Sequence, residues 1–594
     1  MAEKIKKTVS PFIIIALIVV AVIIVFEVNN PVAEADSLGT SVTVGNDAPS
    51  FTDNPYEDPS SHNGTGEGDT ADNPTNVGSD VTFKATASDP NGDDYYLLVC
   101  TTNAATPGTE GGAPTCNDGT WCTSTSTADD AEASCTYTAL NGDSESNAWY
   151  AFVCDAAASG QACSSADQGT GKGNAGSPFY VNHVPTFSAY SDDSGKNPGE
   201  TVTWTTTSED PDSDAADDTV TLYVCKTAAF TGGGTPSCTG GEWCHDTSPG
   251  TSNSGCTYDI PTPTPDQNLN AYGYIVDNHG LQASDGQQGS DSTLTVDNVA
   301  PTIAAANIDL RNTDEGSTLT LTTEEGETEA FLVDFIVTDN NSCKDSLGGD
   351  EIASAIVHVY RSGVTQAGCD EDGEDDPNDC YANAHSGTNG DCYQYETLDS
   401  CSGPSDSTVG WRCEFPLQYH ADPTTGTPTP LYDAQNWLAS VQATDDDSSA
   451  SSLTEDSDGA ELDTFLAYSV TEASIAYDSV AAGNDSAEQT TTIEATGNIG
   501  LDENLSGTDM TDNGNTILVG QQHYNTAASE GWANGTALTT GATEVELNCA
   551  KTTTTGSPAT AETYWVLRVP EGQAAGTYSG SNTIAGIGGE SGDW

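Results

Sequence analysis

Basic side chains are what this sequence most lacks: 13 Lys+Arg stand against 91 Asp+Glu, a formal charge of −78 over 594 residues. Three of the basic residues, Lys4, Lys6 and Lys7, precede an apolar stretch, Phe12 to Phe26. Residues 36–594 keep ten basic residues against 88 acidic ones, because Glu3, Glu27 and Glu34 also fall outside that span. Such a surface repels nucleic acid and anionic membrane, which excludes phosphate-backbone binding as an activity. Self-repulsion of this size is tolerable where salt screens it, the Debye length being ~3 Å near 1 M. The composition therefore points to a saline, halophilic setting, or to a soluble secreted protein in calcium-rich surroundings.

Other absences narrow the chemistry. The sequence has no H-E-x-x-H and no G-x-S-x-G, and its eight histidines keep no common spacing. An enzyme is not expected, a secreted hydrolase with an unrecognised site being the outlying alternative. His183 and His279 lie near strand ends and read as surface histidines. No segment past the N-terminus sustains a 3.6-residue apolar period, so helical architecture is excluded there. The 17 cysteines lack C-x2-C knuckles and no histidine keeps register with them, so zinc is excluded in favour of disulfides.

What is present is a repeated order of motifs. Ala48-Pro49-Ser50-Phe51, Val184-Pro185-Thr186-Phe187 and Ala300-Pro301-Thr302-Ile303 each open a block. Alternating runs follow: Val81-Thr82-Phe83-Lys84-Ala85, Val202-Thr203-Trp204-Thr205-Thr206 and Phe331 to Val337. They stop at Ser88-Asp89-Pro90-Asn91-Gly92-Asp93, Glu209-Asp210-Pro211-Asp212-Ser213-Asp214 and Thr338-Asp339-Asn340-Asn341. Core strands are expected at Tyr96–Val99, Leu222–Val224 and Ile356–Tyr360, with returning strands at Trp149–Val153, Tyr272–Val276 and Trp437–Val441. Exit strands follow at Phe179–Asn182 and Leu294–Asn298. Repeats of this length are whole domains in tandem. The division expected is an apolar signal or anchor over 1–35, a linker over 36–47, sandwiches over 48–183, 184–299 and 300–470, and a C-terminal β-sandwich over 471–594.

The A-P-x-F opening, the V-T-F/W strand and the S-D-P-N-G-D turn resemble tandem immunoglobulin-like repeats, of the fibronectin III and cadherin-like style, in prokaryotic cell-surface proteins. The resemblance implies an all-β chain of antiparallel sandwiches behind an N-terminal hydrophobic helix. It also implies calcium in the acidic turns, where it would stiffen the joints. On oxygen-ligand chemistry the candidates are Asp89, Asn91, Asp93 and Asp94, matched by Asp210, Asp212, Asp214 and Asp217. Backbone preference alone favours the same residues in solvated turns. The Asp370-to-Asp379 run lacks that register and reads as a loop tied down by Cys369 and Cys380.

Aligning Val99-Cys100 with Val224-Cys225 matches Cys100, Cys116, Cys122 and Cys135 to Cys225, Cys238, Cys244 and Cys256, a set that allows three pairings. Cys154 and Cys163 have no counterparts in the second block and are expected to pair with each other. Cys343, Cys369, Cys380, Cys392, Cys401 and Cys413 lie in the third block with pairing open. Cys549 is left over, as a buried thiol or an intermolecular partner.

The N-terminus is an address. Phe12 to Phe26 is fifteen apolar residues, followed by the small-x-small sequence Ala33-Glu34-Ala35. It serves as a cleaved signal or a retained membrane anchor, with the lysines inside and the remainder outside. Lys6-Lys7-Thr8-Val9-Ser10-Pro11 and the following Ile/Val/Ala run also resemble archaeal type IV pilin precursors, which would imply self-association into a filament through that helix. Asn63, Asn340, Asn484, Asn504 and Asn534 stand in N-x-S/T sequons, permissive for glycosylation. The expected function is non-enzymatic: adhesion, cell contact or envelope structure at the cell surface, toward a protein or glycan ligand that the sequence does not name.

Overall fold

In the computed structural model, the described residues are 40–594 apart from 59–69, 170–175, 213–217, 285, 314–315, 317, 321–329, 371–375 and 384–390. The apolar N-terminal segment, the Asn63 sequon and Asp214 and Asp217 lie outside them. Among the described residues no helix is long and apolar enough to cross a membrane. The chain forms two compact units. One comprises the described residues through Pro55 with Lys84–Cys135 and Tyr150–Asp167; the other comprises Tyr56–Phe83, Thr136–Trp149 and Gln168–Trp594.

In the first unit, β1 (Tyr95–Cys100) lies between β2 (Thr120–Thr123) and β3 (Tyr150–Asp155), with Val99 opposite Ala151 in the antiparallel pair. Every second or adjacent residue of these strands is apolar, so Leu97, Leu98, Val99 and Val153 become fully buried. Cys100–Cys116, Cys122–Cys135 and Cys154–Cys163 are disulfides.

In the second unit the ring of Trp149 meets Phe83 edge-on at 5.3 Å and its Nε1 donates to the buried Glu57 Oε1 at 2.6 Å. β4 (Phe179–Asn182) pairs with Thr75–Asn76 and Ser146–Asn147. The next sandwich sets β5 (Thr186–Asp192), β6 (Thr201–Glu209) and β9 (Gly255–Asp259) in one sheet. Its second sheet holds β8 (Glu242–His245), β7 (Val220–Cys225), β10 (Tyr272–Asp277) and Ser290–Asp291, in that order. The alternation of β6 is the cause: Val202 and Trp204 enter the core while Thr201, Thr205 and Thr207 face out. Each such apolar side chain contributes ~1.5–3 kcal/mol on burial. Cys225–Cys238 and Cys244–Cys256 close this block, so the four shared cysteines take one pairing in both copies. Three strands facing four, antiparallel, is the sandwich arrangement of the immunoglobulin-like class.

The third sandwich sets four strands against four. One sheet is ordered β11 (Thr302–Asn312), β12 (Ala330–Thr338), β16 (Thr408–Pro416), β15 (Asp391–Gln394). The other is ordered β14 (Cys380–Ala382), β13 (Ile352–Arg361), β17 (Trp437–Asp445), Thr454–Glu455. Phe331 fills the interface between them, 5.0 Å from both Tyr381 and Trp437. Cys343–Cys401, Cys369–Cys380 and Cys392–Cys413 staple the long insertion.

A fourth pair of sheets follows. Tyr468–Val470, β18 (Gln489–Ala495), β22 (Ala559–Leu567), β20 (Gln522–Asn525) and Thr536–Ala537 form one. β21 (Thr543–Cys549), β19 (Leu501–Gly507) and β23 (Asn582–Gly588) form the other. Trp565 is its largest fully buried side chain, and Cys549 is a buried free thiol whose pKa burial pushes up to about 11.

Candidate metal centre

Three domain entries share one hydrogen-bonded clasp. At each, an asparagine three residues before the opening proline donates through Nδ2 to the aspartate that ends the returning core strand. Asn46 reaches Asp155 Oδ2 at 2.8 Å, Asn182 reaches Asp277 Oδ2 at 3.0 Å, and Asn298 reaches Asp445 Oδ2 at 3.1 Å. The next backbone N–H donates to a side chain of the acidic turn: Asp47 to Asn91 Oδ1 at 2.8 Å, His183 to Asp212 Oδ2 at 2.6 Å, and Val299 to Asn341 Oδ1 at 2.6 Å. That turn residue in turn donates its N–H to the first aspartate of the turn, Asp89, Asp210 or Asp339, at 2.7, 3.0 and 2.7 Å. Asn46 and Asp47, expected in a linker, therefore belong to the clasp.

Each first aspartate is at most 5 % exposed and uses only Oδ1; its buried Oδ2 makes no hydrogen bond. Burying an unpartnered carboxylate oxygen costs free energy, so three repeats of the same orphan require an explanation. At the second entry Asp212, Asp218 and Asp277 surround Asp210, whose pKa is raised to about 7 by burial and then by those three charges. Asn182 Oδ1 is buried there without a partner. Glu145, Asn182, Asp212 and Asp218 line a cavity of about 10 Å³, room for one water-sized occupant.

The third entry is richer in carboxylates. Burial together with Asp445 and Asp266 raises Asp339 to about 6. Glu351 is fully buried with both carboxylate oxygens unpartnered, and burial with Asp446, Asp266, Asp339 and Asp445 raises it to about 8. Burial and a hydrogen bond shared with the Asp447 carboxyl raise Asp266. Asn298 Oδ1 is again buried without a partner. All of these donors are oxygens, the set that hard divalent cations take and that zinc or copper does not select.

The structure thus brings Asp89 and Asn91 together, and likewise Asp210 and Asp212. Asp93 contributes its N–H to Asp89 Oδ1 at 3.5 Å, whereas the exposed Asp94 carboxylate faces Ser126 Oγ at 3.4 Å. His183 and His279 are corrected: each side chain is only 13 % exposed, and they lie 2.7 Å from Asp212 and 3.3 Å from Asp218. They are components of the second entry, placed there by the linker and the turn after β10. Asp155, Asp277, Asp445, Asp339, Glu351 and Asp266 were not singled out from sequence. Their signal is the recurrence of Asn-x-x-Pro and of an aspartate closing each returning strand.

The sheets and entries together define a multidomain antiparallel β-sandwich protein, and its eight disulfides fit an extracellular location. No protein-family model matches the chain, and no curated protein does. Among solved structures, it is similar to a marsupial T cell receptor at 9 % identity, covering 62 % of this chain and 92 % of that one, with a TM-score of 0.23. It is similar to a bacterial ice-binding adhesin concerned with host cell surface retention at 14 % identity, 67 % and 96 % coverage and a TM-score of 0.20. For the ICAM-5 D1–D4 ectodomain fragment the values are 9 %, 83 %, 96 % and 0.21. At such TM-scores the sandwich assignment stands on the sheets alone.

Proposed function

We propose that this chain is an exported, non-enzymatic cell-surface protein whose tandem sandwiches act in adhesion, cell contact or envelope structure, with calcium setting the stiffness of their joints. The observation that supports this is the threefold clasp with its buried, unpartnered carboxylate oxygens. Asp89 and Asn91 would hold calcium at the first entry, Asp210, Asp212, Asp218 and Asn182 at the second, and Asp339, Glu351, Asp445 and Asn298 at the third. Calcium supplies positive charge to carboxylates that otherwise repel one another, in a coordination sphere that accepts six to eight oxygens. The protein's own part is to lock the entry asparagine and the turn in place before the ion arrives. The acidic outer faces of the sandwiches would be presented to a protein or glycan ligand. Scanning calorimetry of the full-length protein tests the reading: calcium added at fixed ionic strength raises the melting temperature, and an unchanged melting temperature refutes it.

A further inference from the structure

The fourth sandwich contains a carboxylate cluster apart from the entries. Asp502 lies on β19, the central strand of its sheet, with β21 on one side and β23 on the other. Pairing slips between Leu501–Cys549 and Glu503–Val545, so Asp502 sits opposite a bulge in β21. Its Oδ1 caps that bulge by accepting the N–H groups of Leu547 at 2.7 Å and Asn548 at 2.9 Å. Bulges re-aim side chains at sheet sites, and here Glu546 from β21 is turned toward Asp502. Glu590, just past β23, completes the group: carboxylate oxygens of Asp502, Glu546 and Glu590 all lie within 4.8 Å of one another.

A bulge cap explains only half of Asp502. The residue is 1 % exposed, and its Oδ2 is buried with no hydrogen bond. That oxygen faces the chain leading to Glu590, because a Cβ placed on Gly589 would stand 3.4 Å from it. The lysine and the arginine of this sandwich are engaged elsewhere. From residue 481 onward the basic residues are Lys551 and Arg568, and they are held by Asp422 at 3.2 Å and Asp485 at 2.5 Å.

We infer that Asp502, Glu546 and Glu590 form a calcium site that ties β19 and β21 to the segment after β23. Two of the ligands are exposed glutamates and one is a buried, preoriented aspartate, so the ion enters from solvent and is fixed from the core side. Its effect is a staple across three neighbouring strand ends, independent of the entry sites.

Trp594 provides the readout, since its Nε1 donates at 3.2 Å to the carbonyl of Gly589, the residue before Glu590. Terbium, an ion of calcium's size and oxygen preference, is titrated into the full-length protein with excitation of the indoles. The wild type should show a sensitised emission component that excess calcium displaces and that Trp594→Phe removes. Glu590→Gln, at an exposed position, and Asp502→Asn should each abolish that component, while Asp339→Asn leaves it intact. A Trp594-dependent component that survives both Glu590→Gln and Asp502→Asn, or its absence from the wild type, overturns the site and leaves Asp502 as a bulge cap alone.

Discussion

Lys551 Nζ lies 3.2 Å from Asp422 Oδ1, and both side chains are less than a tenth exposed. The pair joins the fourth sandwich to the third, with Lys551 also donating to Asn378 Oδ1 at 2.8 Å and Arg361 Nε meeting Asp422 Oδ2 at 3.1 Å. His420 belongs to the same group, and burial followed by the Lys551 charge lowers its pKa to about 4. This contact is closed by the protein's own lysine and arginine, whereas at the second entry the basic partners are His183 and His279, beside Asp212 and Asp218.

Breaking one partner of a buried pair costs ~3–5 kcal/mol, because the other charge stays buried. Lys551→Met should therefore lower the stability of the last two sandwiches by about that order, in chemical denaturation followed by tryptophan fluorescence. Arg361 still holds Asp422, so the lower end is expected. An unchanged midpoint would show that the pair does not couple the sandwiches.

Proton linkage at the entries has a definite sign. Glu351, Asp210 and Asp339 have folded-state pKa values raised to about 8, 7 and 6, above those of an unfolded chain. Between the unfolded and folded values the native state binds more protons, so in chelator stability falls as pH rises from ~5 to ~8. Calcium favours the ionised carboxylates and should release protons on binding near neutral pH. Calorimetric titration in two buffers of different ionisation heat measures that release; equal apparent enthalpies in both would contradict it.

The entries and the exposed turn residues should respond differently to substitution. Asp339→Asn should reduce the rise in melting temperature that calcium produces, since it removes a buried ligand charge. Asp94→Asn should leave that rise unchanged, because its carboxylate is exposed and faces Ser126. Parallel calorimetry of the two variants checks this, and equal effects would mean that calcium acts through general screening.

The Cys154–Cys163 disulfide closes a short loop with a sequence separation of 9. Chain-entropy arithmetic assigns such a loop ~2–3 kcal/mol. A Cys154→Ala/Cys163→Ala double variant should lose about that much from the first unit, measured by denaturant unfolding. A loss near zero would leave the extra pair without a stabilising role.

Much of the fold was legible because β-strand alternation is a local signal: Val202-Thr203-Trp204 declares its buried face in three residues. The pairing of the shared cysteines was not, since spacing permits three solutions and only the packing of two separate sheets brings Cys122 against Cys135. At the site, Asp89, Asn91, Asp210 and Asp212 were legible as acidic turns. Asp277 and Asp445 were not, because an aspartate ending a strand looks like an ordinary turn residue until the entry asparagine donates to it. Asp339 was read as part of a turn but not as a ligand, since Asn340 replaces the proline of the other two turns. Asp502, Glu546 and Glu590 are distant in sequence, and only the β21 bulge assembles them.

The strong net charge adds a dependence on salt. Lowering monovalent salt from 1 M to 0.01 M lengthens the screening distance from ~3 Å to ~30 Å. Carboxylate repulsion then grows faster in the compact state, and circular dichroism should show loss of structure below ~0.1 M, where the screening length passes ~10 Å. A fold equally stable across the series would leave the acidity as a solubility device.

The most direct test of calcium-set joints is a distance distribution across the third entry. Spin labels are placed on exposed positions of the second and third sandwiches, and pulsed dipolar spectra are recorded with calcium and with chelator at equal ionic strength. The account predicts a narrow distribution with calcium that broadens in chelator, and broadens likewise in Asp339→Asn with calcium present. A distribution of the same width in all three samples would contradict it.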